Sequence, residues 1–181
     1  MWTRDEVEAI VASGVVNLDR VELIEGDLVE KVSKNQPHVL YAAFLVEWLM
    51  GIFGLRVVLQ DAPINVAPED DPTSLPEPDV ILLNQPRTNF GQVRPRPDDI
   101  RLLIEVSEST RDFDLGTKAQ LYARAGIQDY WVLDITGRRM IVHRKPREGR
   151  YISVIVYAAD ERVASLAAPQ TELLVSDIFA G

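Results

Sequence analysis

The sequence predicts an α/β fold, a mixed central β-sheet flanked by helices. Three observations carry this reading. Leu102–Ser107, Asp114–Ala125 and Tyr130–Asp134 read as strand, helix and strand, with Gly126 capping the helix. A right-handed crossover makes those two strands parallel. Val80-Ile-Leu-Leu is an unbroken apolar run, as expected of a strand buried on both faces. Met140–Arg144 and Tyr151–Tyr157 follow closely and finish the sheet as antiparallel neighbours.

The remaining elements follow in order. The first eleven residues form a short amphipathic helix with Trp2, Val7, Ile10 and Val11 on its apolar side. Val21–Val32 alternates around Glu25-Gly26-Asp27, the pattern of a β-hairpin with Gly26 in the turn. Pro37 precedes a helix over about His38–Phe53, where Leu40, Phe44, Leu45, Trp48 and Leu49 recur at helical spacing and Gly54 is the cap. Arg56–Gln60 is the next strand and Ile64–Ala67 another. Prolines and acids make 68–78 a loop. Asn84–Asp99, with prolines at 86, 95 and 97, is a long surface loop. Val175–Phe179 is a short closing helix.

At 181 residues the chain is expected to be one domain, 1–181, with residues 1–20 as an N-terminal helical extension. The hydrophobic fraction of 46% and charged fraction of 26% are those of an ordinary globular protein. The acidic N-terminus does not read as a signal peptide, and no apolar run approaches the ~20 residues of a membrane span. With no cysteine there is neither a disulfide nor a thiolate metal site, which fits a cytoplasmic location. The net charge of −9 argues against a protein that coats nucleic acid nonspecifically. It leaves room for an enzyme that holds a phosphate through a bound cation.

The chemistry lies in an acid placed inside an apolar strand. Glu105 sits in Leu102-Leu-Ile-Glu-Val-Ser, and a buried carboxylate is costly unless compensated. A lysine, a metal ion or both would compensate it. Asp79 opens the strand Asp79–Leu83, and if the two strands pair, both acids face one side. Glu105 lies about 7 Å back from its strand end. Lys118 lies about 6 Å along the returning helix. The two are therefore level. Whether Lys118 faces the sheet is open, because Leu115, Ala119 and Tyr122 form the obvious apolar stripe and Lys118 borders it. A surface pair with Asp114, four residues earlier, also explains Lys118. An acid–acid–lysine set of this kind is the chemistry of a metal-dependent nuclease.

The series Val21-Glu-Leu-Ile-Glu-Gly-Asp, His38, Pro78-Asp-Val, Ile104-Glu-Val-Ser-Glu-Ser-Thr-Arg-Asp-Phe-Asp-Leu-Gly-Thr-Lys and Leu121–Asp134 resembles the Uma-type "putative restriction endonuclease" family, within the PD-(D/E)xK nuclease superfamily. The resemblance runs from about Val21 to the C-terminus. It implies a restriction-endonuclease-like fold and hydrolysis of DNA with Mg²⁺ or Mn²⁺. It makes Asp79 and Glu105 the metal-binding acids, Lys118 the catalytic lysine, Glu22 an acid from the N-terminal region and His38 an accessory polar residue. The superfamily's usual lysine lies two residues after the acid. Ser107 stands there in this chain, and the lysine has moved to the following helix.

Alternative readings stand beside these. Glu22 suits a solvated hairpin, His38 a helix start, and His143 an ordinary surface. Asp112 and Asp114 suit a helix N-terminus. The dense basic segment Arg138–Arg147 suits a solvated hairpin more than a DNA-facing patch. A nuclease-fold protein of little or no activity that binds nucleic acid or protein is the second functional reading, and phosphoester hydrolysis on a small molecule the third. A two-fold dimer is expected because duplex cleavage needs two cuts.

Overall fold

A computed structural model describes residues 1–14, 21–31 and 35–180. Strands β1 (Val21–Ile24) and β2 (Asp27–Glu30) form a hairpin. Its two-residue turn has Glu25 at φ 51° and Gly26 at φ 83°, the left-handed pair that a tight hairpin turn demands. The continuation to Val32 lies outside the described residues, as do positions 15–20 of the expected N-terminal extension. Before them, helix α1 (Arg4–Ala12) starts at a Thr3–Glu6 capping box, and Arg4 ties it to Asp71 at 2.8 Å.

Helix α2 (Gln36–Phe53) begins at Asn35, whose side chain accepts from the His38 N–H, two residues ahead of the sequence expectation. The central sheet takes β3 (Val58–Gln60), β4 (Val80–Leu83), β5 (Ile100–Ser107), β6 (Asp129–Asp134), β7 (Arg139–Arg147) and β8 (Arg150–Tyr157) in that spatial order. Only β5 and β6 are parallel, as the crossover requires. The connection holds α3 (Arg111–Phe113), a π-helical turn Asp114–Lys118, and α4 (Ala119–Arg124). A two-stranded β9 (Arg162–Val163) and β10 (Leu173–Leu174) and helix α5 (Val175–Ile178) close the chain.

Each face of the sheet has its own core. Ala42, Leu45 and Leu49 of α2 pack with Val80, Leu82, Leu102, Ile104 and Val106 on one side. On the other, Ala119 and Tyr122 of α4 pack with Ile81, Leu83, Leu103 and Val132. Alternation along β4 and β5 therefore assigns every second residue to the α4 side, and Glu105 takes the place there of an apolar side chain.

Two expectations are corrected. Ile64–Ala67 is not a strand. The Ile64 and Asn65 N–H groups donate to the carbonyls of Pro76 and Pro95, so the segment lies along proline-rich loops instead of a ladder. His143 is not on the surface. It is buried on β7, with its ring centroid 5.2 Å from Tyr130 and 5.5 Å from Tyr151, and its Nδ1 has no hydrogen-bond partner among the described residues. Among those residues, no helix is long and apolar enough to cross a membrane.

Burial holds the His143 pKa below its ordinary value. The unfolded chain then binds the proton more readily, so stability is lost as pH falls through the ordinary histidine range. The stability difference between His143→Phe and the natural chain should therefore move in favour of the variant between pH 7 and pH 5. A difference unchanged across that range, measured by urea unfolding, would contradict this.

Candidate active site

The π-helical turn brings the crossover's polar groups to the sheet. A wider i→i+5 turn presents more residues to one side than α-helical winding does, and such turns recur at functional sites. Asp114 and Lys118 are both buried here, while Ala119 and Tyr122 keep their apolar packing. Lys118 thus lies on the sheet side. Its distance of 3.9 Å to Asp114 belongs to a buried cluster and not to an exposed helix pair.

Lys118 Nζ lies 3.0 Å from Glu105 Oε1 and 2.9 Å from Glu22 Oε2. Tyr122 OH donates to the same Glu105 Oε1 at 2.9 Å. Glu22 is held from behind by the Glu77 N–H, which donates to Oε1 at 2.9 Å. It is buried, unlike the solvated hairpin acid that its alternating sequence suggests. Asp114 accepts from Ser107 Oγ at 2.6 Å and Thr110 Oγ1 at 2.7 Å.

Asp79 stands one residue before the Val80–Ile104 pair, so the antiparallel register puts it opposite Glu105 on the same face. Its Oδ2 accepts from the Val106 N–H at 2.7 Å, and its Oδ1 is 3.0 Å from His38 Nε2, in the first turn of α2. All five residues named from the sequence, Glu22, His38, Asp79, Glu105 and Lys118, line one cavity of about 270 Å³, with Asp114 beside them. Sequence reasoning gave Asp114 only a helix-terminal role or a surface pair with Lys118, and Tyr122 only a packing role. The small hydroxyls at Ser107 and Thr110, placed to face a helix start, were the available signal for Asp114.

The electrostatics are lopsided. Among the described residues, the carboxylates of Glu22, Glu105 and Asp114 share the ammonium of Lys118, and Asp79 lies beside them against His38. Burial pushes the Glu105 carboxyl well above the usual carboxylate range; Lys118 pulls it down, and the neighbouring acids raise it again. Burial also raises Asp114, against the pull of Lys118, Ser107 and Thr110. For Lys118 burial favours the neutral amine, but Glu105, Glu22 and Asp114 outweigh it and hold the ammonium firmly protonated. With Glu22, Glu105 and Asp114 all ionised, their charges exceed what Lys118 alone supplies.

Among the described residues, no three side chains of His, Cys, Asp or Glu converge as a complete metal cage. The donor set still fits Mg²⁺ or Mn²⁺. Such ions are commonly held by one or two carboxylates, with water and substrate phosphate completing the shell, and Asp79 with Glu105 supplies that pair beside an open cavity.

A family model described as "Uma2: Putative restriction endonuclease" matches residues 12–176. A crystal structure of a putative nuclease belonging to DUF820 from Anabaena variabilis ATCC 29413 is similar over 88% of this chain and 89% of that one. Its TM-score is 0.65 and its sequence identity 15%, a likeness of fold. No curated protein matches the chain.

Two stability measurements in EDTA check the charge balance. Lys118→Met leaves its acids without a cation and should cost about 3–5 kcal/mol at pH 8; an unchanged unfolding midpoint would contradict it. Glu105 binds its proton more tightly folded than unfolded, so this carboxyl costs stability as pH rises above the ordinary carboxylate range. Glu105→Gln should therefore gain on the natural chain from pH 5 to pH 8, and a pH-independent difference would count against the assigned shift.

Proposed function

The chain belongs to the Uma2 family, described as putative restriction endonucleases, and on that premise we propose that it is a Mg²⁺- or Mn²⁺-dependent endonuclease hydrolysing DNA phosphodiester bonds. The observation that carries this reading is the pair Asp79 and Glu105, facing each other on an open cavity where Glu105, Glu22 and Asp114 share the ammonium of Lys118. A divalent ion bound there would polarise the phosphoryl group and lower the pKa of a bound water.

The chain's own residues have distinct tasks. Asp79 and Glu105 would hold the ion. His38 and the Val106 N–H fix the Asp79 carboxylate, and Tyr122 with Lys118 fixes Glu105. Lys118 is an ammonium between Glu105 and Glu22, so it acts through its charge and its hydrogens, and not as a base. That charge would offset the negative charge developing on the phosphoryl oxygens. Glu22 keeps the ammonium centred. Hydrolysis joins the water oxygen to phosphorus and releases the leaving oxygen as a hydroxyl.

One observation favours the second reading, a nuclease-fold binding module. The arginines that might form a nucleic-acid surface are engaged internally. Arg139 pairs with Asp134, Arg144 with Asp129 and Arg124 with Asp70, each at 2.8 Å. Within Arg138–Arg147, Arg139 and Arg144 are thereby committed to buried acids of the fold.

The two readings part on cleavage. Supercoiled plasmid and single-stranded circular DNA should be nicked by the natural chain with Mg²⁺ or Mn²⁺ and not in EDTA. Glu105→Gln and Asp79→Asn should each lower the rate by about 10² or more. Nicking that both variants retain, or no nicking with either metal, would exclude this site as a DNA endonuclease and leave the binding reading. Cleavage of RNA alone would overturn the substrate.

A further inference from the structure

Strand β8 is one outer edge of the central sheet and, among the described residues, is hydrogen-bonded to β7 alone. Its eight residues give about 27 Å of edge. Edge strands usually carry a proline, an inward charge or a bulge, or are short or covered, because an open edge templates pairing with another chain. From Tyr151 to Tyr157 this strand holds no charge and no proline, and its register with β7 runs from Met140–Tyr157 to Arg147–Arg150 without a shift. Ile152, Val154, Ile155 and Val156 are 59%, 52%, 46% and 49% exposed. Val154 and Ile155, as neighbours in a strand, point to opposite faces, so the edge is apolar on both. Val154 and Val156 continue into a groove of about 470 Å³ with Leu115, Ala119 and Ile141 on its other walls.

We propose that β8 docks a second copy of this chain, edge to edge and antiparallel about a two-fold axis. A strand pairs antiparallel with itself without needing a different sequence, which is the requirement of an isologous interface. The uncharged stretch lets two chains of net charge −9 meet where no like charges oppose. The ends of the strand are complementary in charge: Arg150 opens it, and the exposed Asp160 and Glu161 follow its close. Antiparallel pairing carries the arginine of each copy toward the acids of the other. The groove wall extends the apolar surface toward the ~800 Å² per partner of a stable interface. The proposal is independent of cleavage, since β6 and β7 separate β8 from the strand that carries Glu105.

Sedimentation velocity over a range of concentrations tests it, with the natural chain, Val154→Lys and Ile155→Lys. The natural chain should reach twice the 20.3 kDa chain mass. Each variant brings two like charges beside the axis and should weaken the dimer by ~10-fold or more, with its circular dichroism and melting temperature preserved because both positions are about half exposed. A natural chain that stays monomeric, a dimer that both lysines leave intact, or one lost in a single variant through packing of one sheet face, would overturn the edge pairing. Amide exchange of the natural chain reads the same interface without substitution. Protection across 150–157 should rise with protein concentration, and exchange independent of concentration would refute it.

Discussion

A cluster of buried acids gathered at Lys118 is the constraint around which the rest of the molecule is arranged. The acids come from separate parts of the chain: Glu22 from the N-terminal hairpin, Asp79 from the end of a proline-rich loop, Glu105 from a central strand and Asp114 from the crossover. Each is held by a donor that belongs to the fold, so the hairpin, the sheet and the π-helical turn must all be in place before the cluster exists. Burial strengthens every interaction in the cluster and raises the cost of any charge left over.

Other buried acids of the same chain show how a purely structural carboxylate is treated. Asp129 is fully buried and receives Trp131 Nε1, Arg144 Nε, Ser165 Oγ and the Leu166 N–H. Asp134 receives the Gly137 N–H and Arg139 Nε. In both, one carboxylate has its own guanidinium and further donors. The Glu105 cluster shares one ammonium among several acids and opens onto a cavity. Stability alone gives no reason for three acids to share one ammonium, an arrangement that the proposed cation site would explain.

Much of this was legible in the sequence. Glu105 stood out because an acid interrupted an apolar strand, and Asp79 because the next strand began beside it. The parallel pair β5–β6 followed from the length of the crossover. The obscure parts depend on long-range or unusual local geometry. The π-helical turn that points both Asp114 and Lys118 inward leaves no periodicity that a 3.6-residue reading recognises. Glu22 alternates like any hairpin residue, and its burial arises only because the hairpin lies against the loop before β4, through the Leu23–Leu75 bridge and the Glu77 N–H. Tyr122 has the spacing of a core residue and is one. Its hydroxyl adds the contact to Glu105 that spacing does not reveal.

Asp79 and Glu105 are proposed to form a cation site. Calorimetric titration with Mn²⁺ in the absence of nucleic acid addresses it most directly. Saturable binding near one ion per chain, abolished in Glu105→Gln, is the expected result. No saturable binding, or binding that Glu105→Gln leaves intact, would contradict it and make the cluster a structural charge network.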